Sequence, residues 1–439
     1  MFRPSQKFDL QLSAPVAFAA LALVLLLPGA QAQTYQVIHD FTDEQDGATP
    51  LVGLTMDRSG NLYGTASSGG YFGGNCYSAG CGTVFKLAPR GSGWVFTPLY
   101  LFQGTDDGQM PYARVVFGPD GRLYGSTDEG GNPCYGAGCG TVFSLAPPAP
   151  ACKSVLCPWT ETVLYRFSGP DGAHPQGDLI FDRAGNIYGT TVAGGNTSCS
   201  GGIGGTCGTV FKLTPSNGGW TESVAYAFTG DNDGFEPRGG VILDGAGNLY
   251  GTTAQGGPPQ GGGLPNGTVF ELTPSGSGWS KSILFTFELY GDGVGPVGLV
   301  FDGSGDLYGA TPGGGANKGG AVYELIPSNP GNWTFEGIYS FQPEGGPEAA
   351  LTLDAAGNLY GTQIEGGGSG HGAAFKLTPS DSGWTYSSLH DFTLGSDGGY
   401  PSGSIIFDAN GNIYSTTQSG GIGPCNYGYG CGVVFEITP

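Results

Sequence analysis

The sequence predicts an all-β chain folded as a seven-bladed β-propeller, with four antiparallel strands in each blade. Three observations carry this. The word "DRSGNLYGT" at Asp57–Thr65 returns as "DRAGNIYGT" at Asp182, "DGAGNLYGT" at Asp244 and "DAAGNLYGT" at Asp354. Its tyrosine recurs at Tyr63, Tyr124, Tyr188, Tyr250, Tyr308, Tyr360 and Tyr414, at intervals of 52 to 64 residues, which makes seven units. The two ends are complementary. The last unit stops at "GVVFEITP" (Gly432–Pro439), one strand short, while "TYQVIHDF" (Thr34–Phe41) matches "WTYSSLHDF" (Trp384–Phe392). The N-terminal strand is expected to complete the last blade, which closes the ring and leaves no sheet edge there.

Each unit runs through the same elements. An apolar run such as "LIFD" (Leu179–Asp182) is the first strand. A tight turn leads into "NIYGTT" (Asn186–Thr191), then a Gly-rich stretch of variable length, then "GTVFKLTP" (Gly208–Pro215). A Gly/Ser turn precedes the fourth run, Trp220 to Phe228. All four are short, rich in Val, Ile, Thr, Tyr and Phe, and bounded by turn residues. In the opening word, Asp57 is placed to accept hydrogen bonds from the turn that follows it. Gly60 can take the positive φ that a tight, bulged hairpin demands. The repeated Tyr reads as filler between packed blades. Unit two departs from the pattern, with Gly118 for the Asp and Arg122 for the Asn; Asp306 replaces the Asn in unit five.

Gly and Pro, 87 and 31 of 439 residues, exceed a quarter of the chain. That would suggest low complexity, but they fall at fixed places between strand-like runs. Charged residues are 12 % and the net charge is −21. Phosphate backbones and anionic lipid surfaces would repel such a chain, so nucleic acid and peripheral membrane binding are set aside. Residues 1–32 read as a secretory signal peptide: Arg3 and Lys7, an apolar run from Val16 to Leu27, then "AQA" (Ala30–Ala32). Residues 33–439 are then one propeller domain, secreted or periplasmic, without a membrane span and expected to be monomeric.

All ten cysteines follow the signal in five close pairs: Cys76 with Cys81, Cys134 with Cys139, Cys152 with Cys157, Cys199 with Cys207, and Cys425 with Cys431. An even count, local spacing and export predict disulfides. Zinc sites usually show tighter C-x₂₋₄-C pairs.

"GNLYGTTAQGG" (Gly247–Gly257) followed by "GTVFELTP" (Gly267–Pro274) resembles the GloVer tandem-repeat family. The resemblance covers essentially all of residues 33–439. It implies an exported bacterial protein with a propeller-like array, and it brings no activity. Members carry differing C-terminal anchors; this sequence, ending at Pro439, shows no sorting tail of that kind.

With the first strand innermost, the loops between strands two and three share a face with the loops joining units. Four cysteine pairs fall there, in neighbouring units seven, one, two and three, and predict a stapled crescent that could dock a partner. Cys152 and Cys157 fall on the opposite face. A second recurring word, D-G-x-x-P, begins at Asp46, Asp107, Asp171, Asp233, Asp292 and Asp397, with Glu344-Gly345-Gly346-Pro347 in the remaining interval. It predicts a ring of carboxylates at the channel mouth, where a hard cation such as Ca²⁺ could bind; equally, each Asp could cap a repeated turn. Residues that break the repeat near that mouth are the ligand-binding candidates: Tyr112, Arg114, His174, Gln176, Asp178, Glu236, Arg238 and Glu348.

Catalysis finds little support. A sialidase-like site needs three converging arginines, and only Arg114 and Arg238 are placed near the mouth. A lactonase-type metal site would draw on the carboxylate ring. His39 and His390 stand in a column filled elsewhere by Tyr100, Tyr165, Tyr226, Phe285 and Tyr339, and read as packing variants. His371 is a loop residue, and only His174 lies near the mouth. No nucleophile elbow, phosphate loop or metal-binding helix is present. The reading is an exported binding or scaffold module for an extracellular glycan or protein, with a metal-assisted hydrolase or lyase on sugar derivatives as the alternative. No firm cofactor is implied.

Overall fold

The computed structural model describes residues 33–439, apart from residues 75, 77–78, 105, 135–136, 149–157, 200–201, 231, 259–264, 289–290, 329–330, 344, 426–427 and 439. Its 28 strands, β1 to β28 in chain order, form seven separate four-stranded antiparallel sheets, the blades of a propeller. Ile203–Gly205 forms one short 3₁₀ turn. No helix among the described residues is long and apolar enough to cross a membrane.

The ring closes as the end complementarity predicts. Strand β1 (Thr34–Asp40) pairs antiparallel with β28 (Val433–Thr438), with Thr34 opposite Thr438 and Asp40 opposite Val433. Blade seven thus has the order β1-β28-β27-β26. Phe41, fully buried just past β1, packs edge-to-face on Phe85 of blade one at 5.3 Å. The same contact recurs at other seams, as in Phe167 on Phe211 at 5.0 Å and Phe392 on Phe435 at 5.2 Å.

The repeated tyrosines fill the gaps between blades. Tyr63 of blade one packs edge-on against Phe117 and Trp159 of blade two, at 5.2 and 6.3 Å. Tyr250 does the same with Phe301 and Trp333, at 5.1 and 6.2 Å. Such pairs add about 0.5–1.5 kcal/mol each beyond their buried area. The same words also link neighbouring blades by hydrogen bonds. Thr190 donates from Oγ1 to the Gly239 carbonyl of the next blade at 2.9 Å, and Thr416 to Val52 at 2.9 Å.

The Asp of the word is spent on its own turn. Asp57 accepts from the Ser59 and Asn61 N–H groups at 2.8 and 3.0 Å, from Asn61 Nδ2 at 2.7 Å and from the Tyr63 hydroxyl at 3.1 Å. In unit two, where Gly118 replaces the Asp, Asp120 takes over and accepts from the Arg122 N–H at 3.1 Å and the Tyr124 hydroxyl at 3.0 Å.

Two glycines of the repeat have distinct reasons. Gly189, after the Tyr, lies opposite Phe211 in the sheet, and a Cβ there would stand 2.6 Å from the ring's Cζ. The aromatic ring covers the glycine that faces it. Gly208, before strand three, has φ +87°, and a Cβ there would stand 2.7 Å from Cδ of Pro237 in the next D-G-x-x-P word. That proline therefore docks on the preceding blade.

Candidate functional site

The loops that return from each outer strand to the next inner strand converge on the axis. They meet the ends of the second strands on the same face and enclose a central cavity of about 820 Å³ with contributions from all seven blades. The volume falls within the range of small-molecule sites, roughly 300–1,000 Å³.

Five of the eight candidates line this cavity: Tyr112, Gln176, Asp178, Arg238 and Glu348. Four of them directly follow the proline of the repeated word (Pro111, Pro175, Pro237 and Pro347), where the loop turns inward. The other three candidates stand behind the wall and hold it. Arg114 donates its backbone N–H to Asp178 Oδ1 at 2.9 Å and its Nε to Oδ2 at 3.0 Å. Glu236, 4 % exposed, accepts from Arg238 at 3.0 Å and from Gln255 Nε2 at 3.2 Å. His174 Nδ1 lies 3.4 Å from Asp128 Oδ2, and Gln176 donates to Asp128 Oδ1 at 3.0 Å.

The charges of the wall are therefore mostly compensated. The hydrogen bond to Asp128 raises the His174 pKa against the opposing effect of burial. Burial raises the Glu348 carboxyl, Arg238 pulls it back, and Glu365 adds to the rise. Tyr112 is also raised, by burial and then by Asp128 and Glu129.

Sequence reasoning missed Asp128 and Gln255. Gln255 bridges to Phe235 just past the second strand, at a position held by Ser68, Glu129, Ala193, Gly313 and Ser419 elsewhere. That variability was the available signal. Also missed was a backbone feature. Thr49, Met110, His174, Glu236 and Tyr400, each immediately before the proline of its word, have φ between 55° and 58°. For residues with a Cβ this left-handed conformation is uncommon. It lets each N–H reach back to the preceding blade, as His174 does to the Cys139 carbonyl at 3.0 Å and Glu236 to that of Cys207 at 3.1 Å.

The aspartates of D-G-x-x-P are not gathered at the mouth. None of Asp46, Asp107, Asp171, Asp233, Asp292 and Asp397 lines the cavity. The word lies at the outer end of its loop, and each Asp serves its own turn. Asp107 accepts from the Gln103 N–H at 2.9 Å and the Tyr100 hydroxyl at 3.0 Å; Asp233 accepts from the Thr229 N–H and the Tyr226 hydroxyl, both at 2.9 Å. Asp171 accepts from the Ser168 N–H at 2.9 Å and from the Tyr165 hydroxyl. Asp46 accepts from the Thr42 N–H at 2.9 Å and lies 3.3 Å from His39. Asp397 accepts from the Thr393 N–H at 3.0 Å and lies 3.2 Å from His390. In the fifth interval the column residue is Phe285, which has no hydroxyl, and burial raises the Asp292 carboxyl. Glu344 lies outside the described residues. The column read as packing is thus also the hydrogen-bonding partner of the loop. Among the described residues, no group of three or more His, Cys, Asp or Glu is placed to hold a metal ion. The carboxylate ring at which Ca²⁺ could have bound is thus not assembled among the described residues.

Among the described residues, four disulfides are present: Cys76–Cys81, Cys134–Cys139, Cys199–Cys207 and Cys425–Cys431. They staple the strand-two-to-three loops of blades one, two, three and seven. Cys152 and Cys157 lie outside the described residues. The stapled loops carry exposed apolar side chains, Tyr71, Phe72, Ile203, Ile422 and Tyr429.

The fold has solved counterparts at low identity. The extracellular domain of a candidate hybrid two component system from B. thetaiotaomicron is 13 % identical with a TM-score of 0.51; the match covers 93 % of this chain and 42 % of that one. A periplasmic gluconolactonase from Pseudomonas aeruginosa is 15 % identical with a TM-score of 0.48, over 77 % and 86 % of the two chains. A PQQ-bound aldose sugar dehydrogenase from Streptomyces coelicolor is 12 % identical with a TM-score of 0.45, over 93 % and 99 %. At 13 % identity the first likeness speaks to fold alone, and the two with TM-scores under 0.5 carry no argument. No curated protein sequence matches the chain. The Gloeobacter/Verrucomicrobia repeat model matches residues 27–200, 78–265, 155–346 and 259–439, and with that coverage the chain belongs to the Gloeobacter/Verrucomicrobia repeat family.

Proposed function

We propose that the protein is an extracytoplasmic binding module that takes a small neutral saccharide in its central cavity. The observation that carries this is the character of the wall. The cavity of about 820 Å³ presents amides such as Gln176 and Gln255, while Asp178 and Arg238 are each paired to a group of opposite charge. Amides and paired charges suit hydroxyl groups, which both donate and accept. The net charge of −21 disfavours an anionic ligand. Four local disulfides support an oxidising, extracytoplasmic setting.

A glycan array probed with residues 33–439 tests the reading. Neutral saccharides are expected to bind. Replacing Arg238 or Gln255 with Ala then weakens calorimetric affinity by about tenfold or more, the scale of one or two lost hydrogen bonds. Selective capture of anionic glycans, or affinity unchanged in both variants, overturns it.

A further inference from the structure

Two residues past the recurring Trp position of each outer strand, which Gln33 occupies before β1, one side chain faces the preceding blade. At four of the seven junctions it is aromatic and stacks on the column residue there. Phe96 lies on His39 at 4.0 Å, Phe335 on Phe285 at 4.3 Å, Tyr386 on Tyr339 at 5.1 Å and Tyr35 on His390 at 3.7 Å. Between blades three and four it is Lys281, with only 5 % of its side chain exposed. Its ammonium lies 2.7 Å from Asp233 Oδ1, also meets the Asp233 carbonyl, and sits over the rings of Tyr226 and Phe228. The two remaining junctions, on either side of blade two, carry glutamates.

Glu161 of blade two faces Tyr100 and Asp107 of blade one across a pocket of about 380 Å³. Glu222 of blade three faces Asp171 and Tyr165 of blade two. The Oε1 atom of each glutamate is buried without a hydrogen-bond partner. An acid thus stands where five junctions place an aromatic ring or a cation, and it stands against another acid.

We propose that Glu161 and Glu222 make the two junctions flanking blade two proton-responsive: each junction packs tightly while its glutamate is protonated and loosens when the glutamate ionises against the neighbouring aspartate. A neutral carboxyl can lie in this partly dry seam, whereas an ionised one loses hydration and gains no donor. The groups facing Glu161 are Asp107, Asp106, Tyr100 and, on its own strand, Arg166. Arg166 opposes the effect, but its Nε is committed to the Asp106 carbonyl at 2.9 Å. The groups facing Glu222 are Asp171 and Tyr165.

Burial first, then Asp107, with Arg166 opposing, pushes Glu161 from 4.5 up to about 7. Burial first, then Asp171, pushes Glu222 from 4.5 up to about 7. A carboxyl raised in the folded state favours folding most fully below its unfolded pKa. That contribution falls away as pH rises from about 4.5 through about 7. The junctions flanking blade two should therefore open above neutrality, while the stacked aromatic junctions have no such carboxyl.

Amide hydrogen exchange on residues 33–439 at pH 5.5 and pH 8, corrected for intrinsic exchange, tests this. Protection of β9 (Thr160–Arg166) and β13 (Gly219–Ala227) is expected to fall roughly tenfold or more relative to β21 (Trp333–Ser340), whose Phe335 and Tyr339 stack on aromatic partners. The double variant Glu161→Gln, Glu222→Gln should abolish that difference. So should Glu161→Phe with Glu222→Phe, which copies the stacked junctions. An equal pH response at β21, or an unchanged response in both variants, overturns the proposal.

Discussion

Tyr414 of the last blade packs edge-to-face on Trp94 of the first, with ring centroids 5.7 Å apart. The two residues are far apart in sequence, yet they repeat the contact that Tyr63 makes with Trp159 one blade on. The same seam is completed by β1 and the residue after it, where His39 stacks on Phe96 at 4.0 Å and Phe41 packs on Phe85 at 5.3 Å.

Removing residues 33–41 should therefore unfold or aggregate the protein. Phe41→Ala is the milder test. Phe41 is fully buried, and such truncations cost about 3–5 kcal/mol. Chemical denaturation should show a loss of that size. A loss below about 1 kcal/mol, typical of surface positions, would mean that β1 is dispensable.

Asp57→Ala removes the acceptor for the Ser59 and Asn61 N–H groups and should cost about 1–3 kcal/mol. The cost should be the same with Ca²⁺ and with chelator, because the carboxylate is spent on its turn. A melting temperature that drops with chelator in the parent and not in the variant would instead place a cation at the repeated word.

The same turns predict acid sensitivity. Burial raises the Asp57, Asp182 and Asp354 carboxyls, but hydrogen bonds from Asn61, Asn186, Asn358 and backbone N–H groups outweigh it, and each pKa ends below its ordinary 3.8. A depressed folded pKa stabilises above the unfolded value and is lost as pH falls through the folded one. Stability should therefore drop below about pH 4. Replacing all three with Asn should lower stability at pH 6, with the difference shrinking toward pH 2.5. A constant difference across that range would refute the assignment.

Gly189→Ala would place a Cβ 2.6 Å from the Phe211 ring and 3.0 Å from Leu179 Cδ2. Overpacking of this kind costs about 1–3 kcal/mol. Adding Phe211→Leu should recover part of the loss in a double-mutant cycle, whereas strict additivity would show that the ring is not what the glycine accommodates.

Much of this architecture was legible because it is periodic. Tyr63, Gly60 and Asp57 recur with fixed spacing, and a period of two along short β-branched runs has one physical reading. The closure is legible in the match of Thr34–Phe41 to Trp384–Phe392, and β1 pairs with β28 accordingly. The partnership of Gly189 with Phe211 was hidden because it depends on cross-strand register over a loop of variable length. The carboxylate ring was misplaced for a geometric reason. The joining loop spans the full radius of a blade, so Asp107 stays beside Tyr100 at the outer end while Tyr112, five residues later, reaches the cavity. Within the candidate site, the repeat-breaking rule found Arg238 and Gln176. It missed Asp128 and Gln255, which lie on the second strand's exit rather than in the repeated word.

The ligand site proposed above is the cavity on the axis. Crystals soaked with the neutral saccharide that binds most tightly on the array would test it most directly. Density for one sugar is expected inside the cavity, in hydrogen-bond contact with Arg238 and Gln255. Density confined to the disulfide-stapled loops around Phe72 and Tyr429, with the cavity holding only solvent, would contradict it.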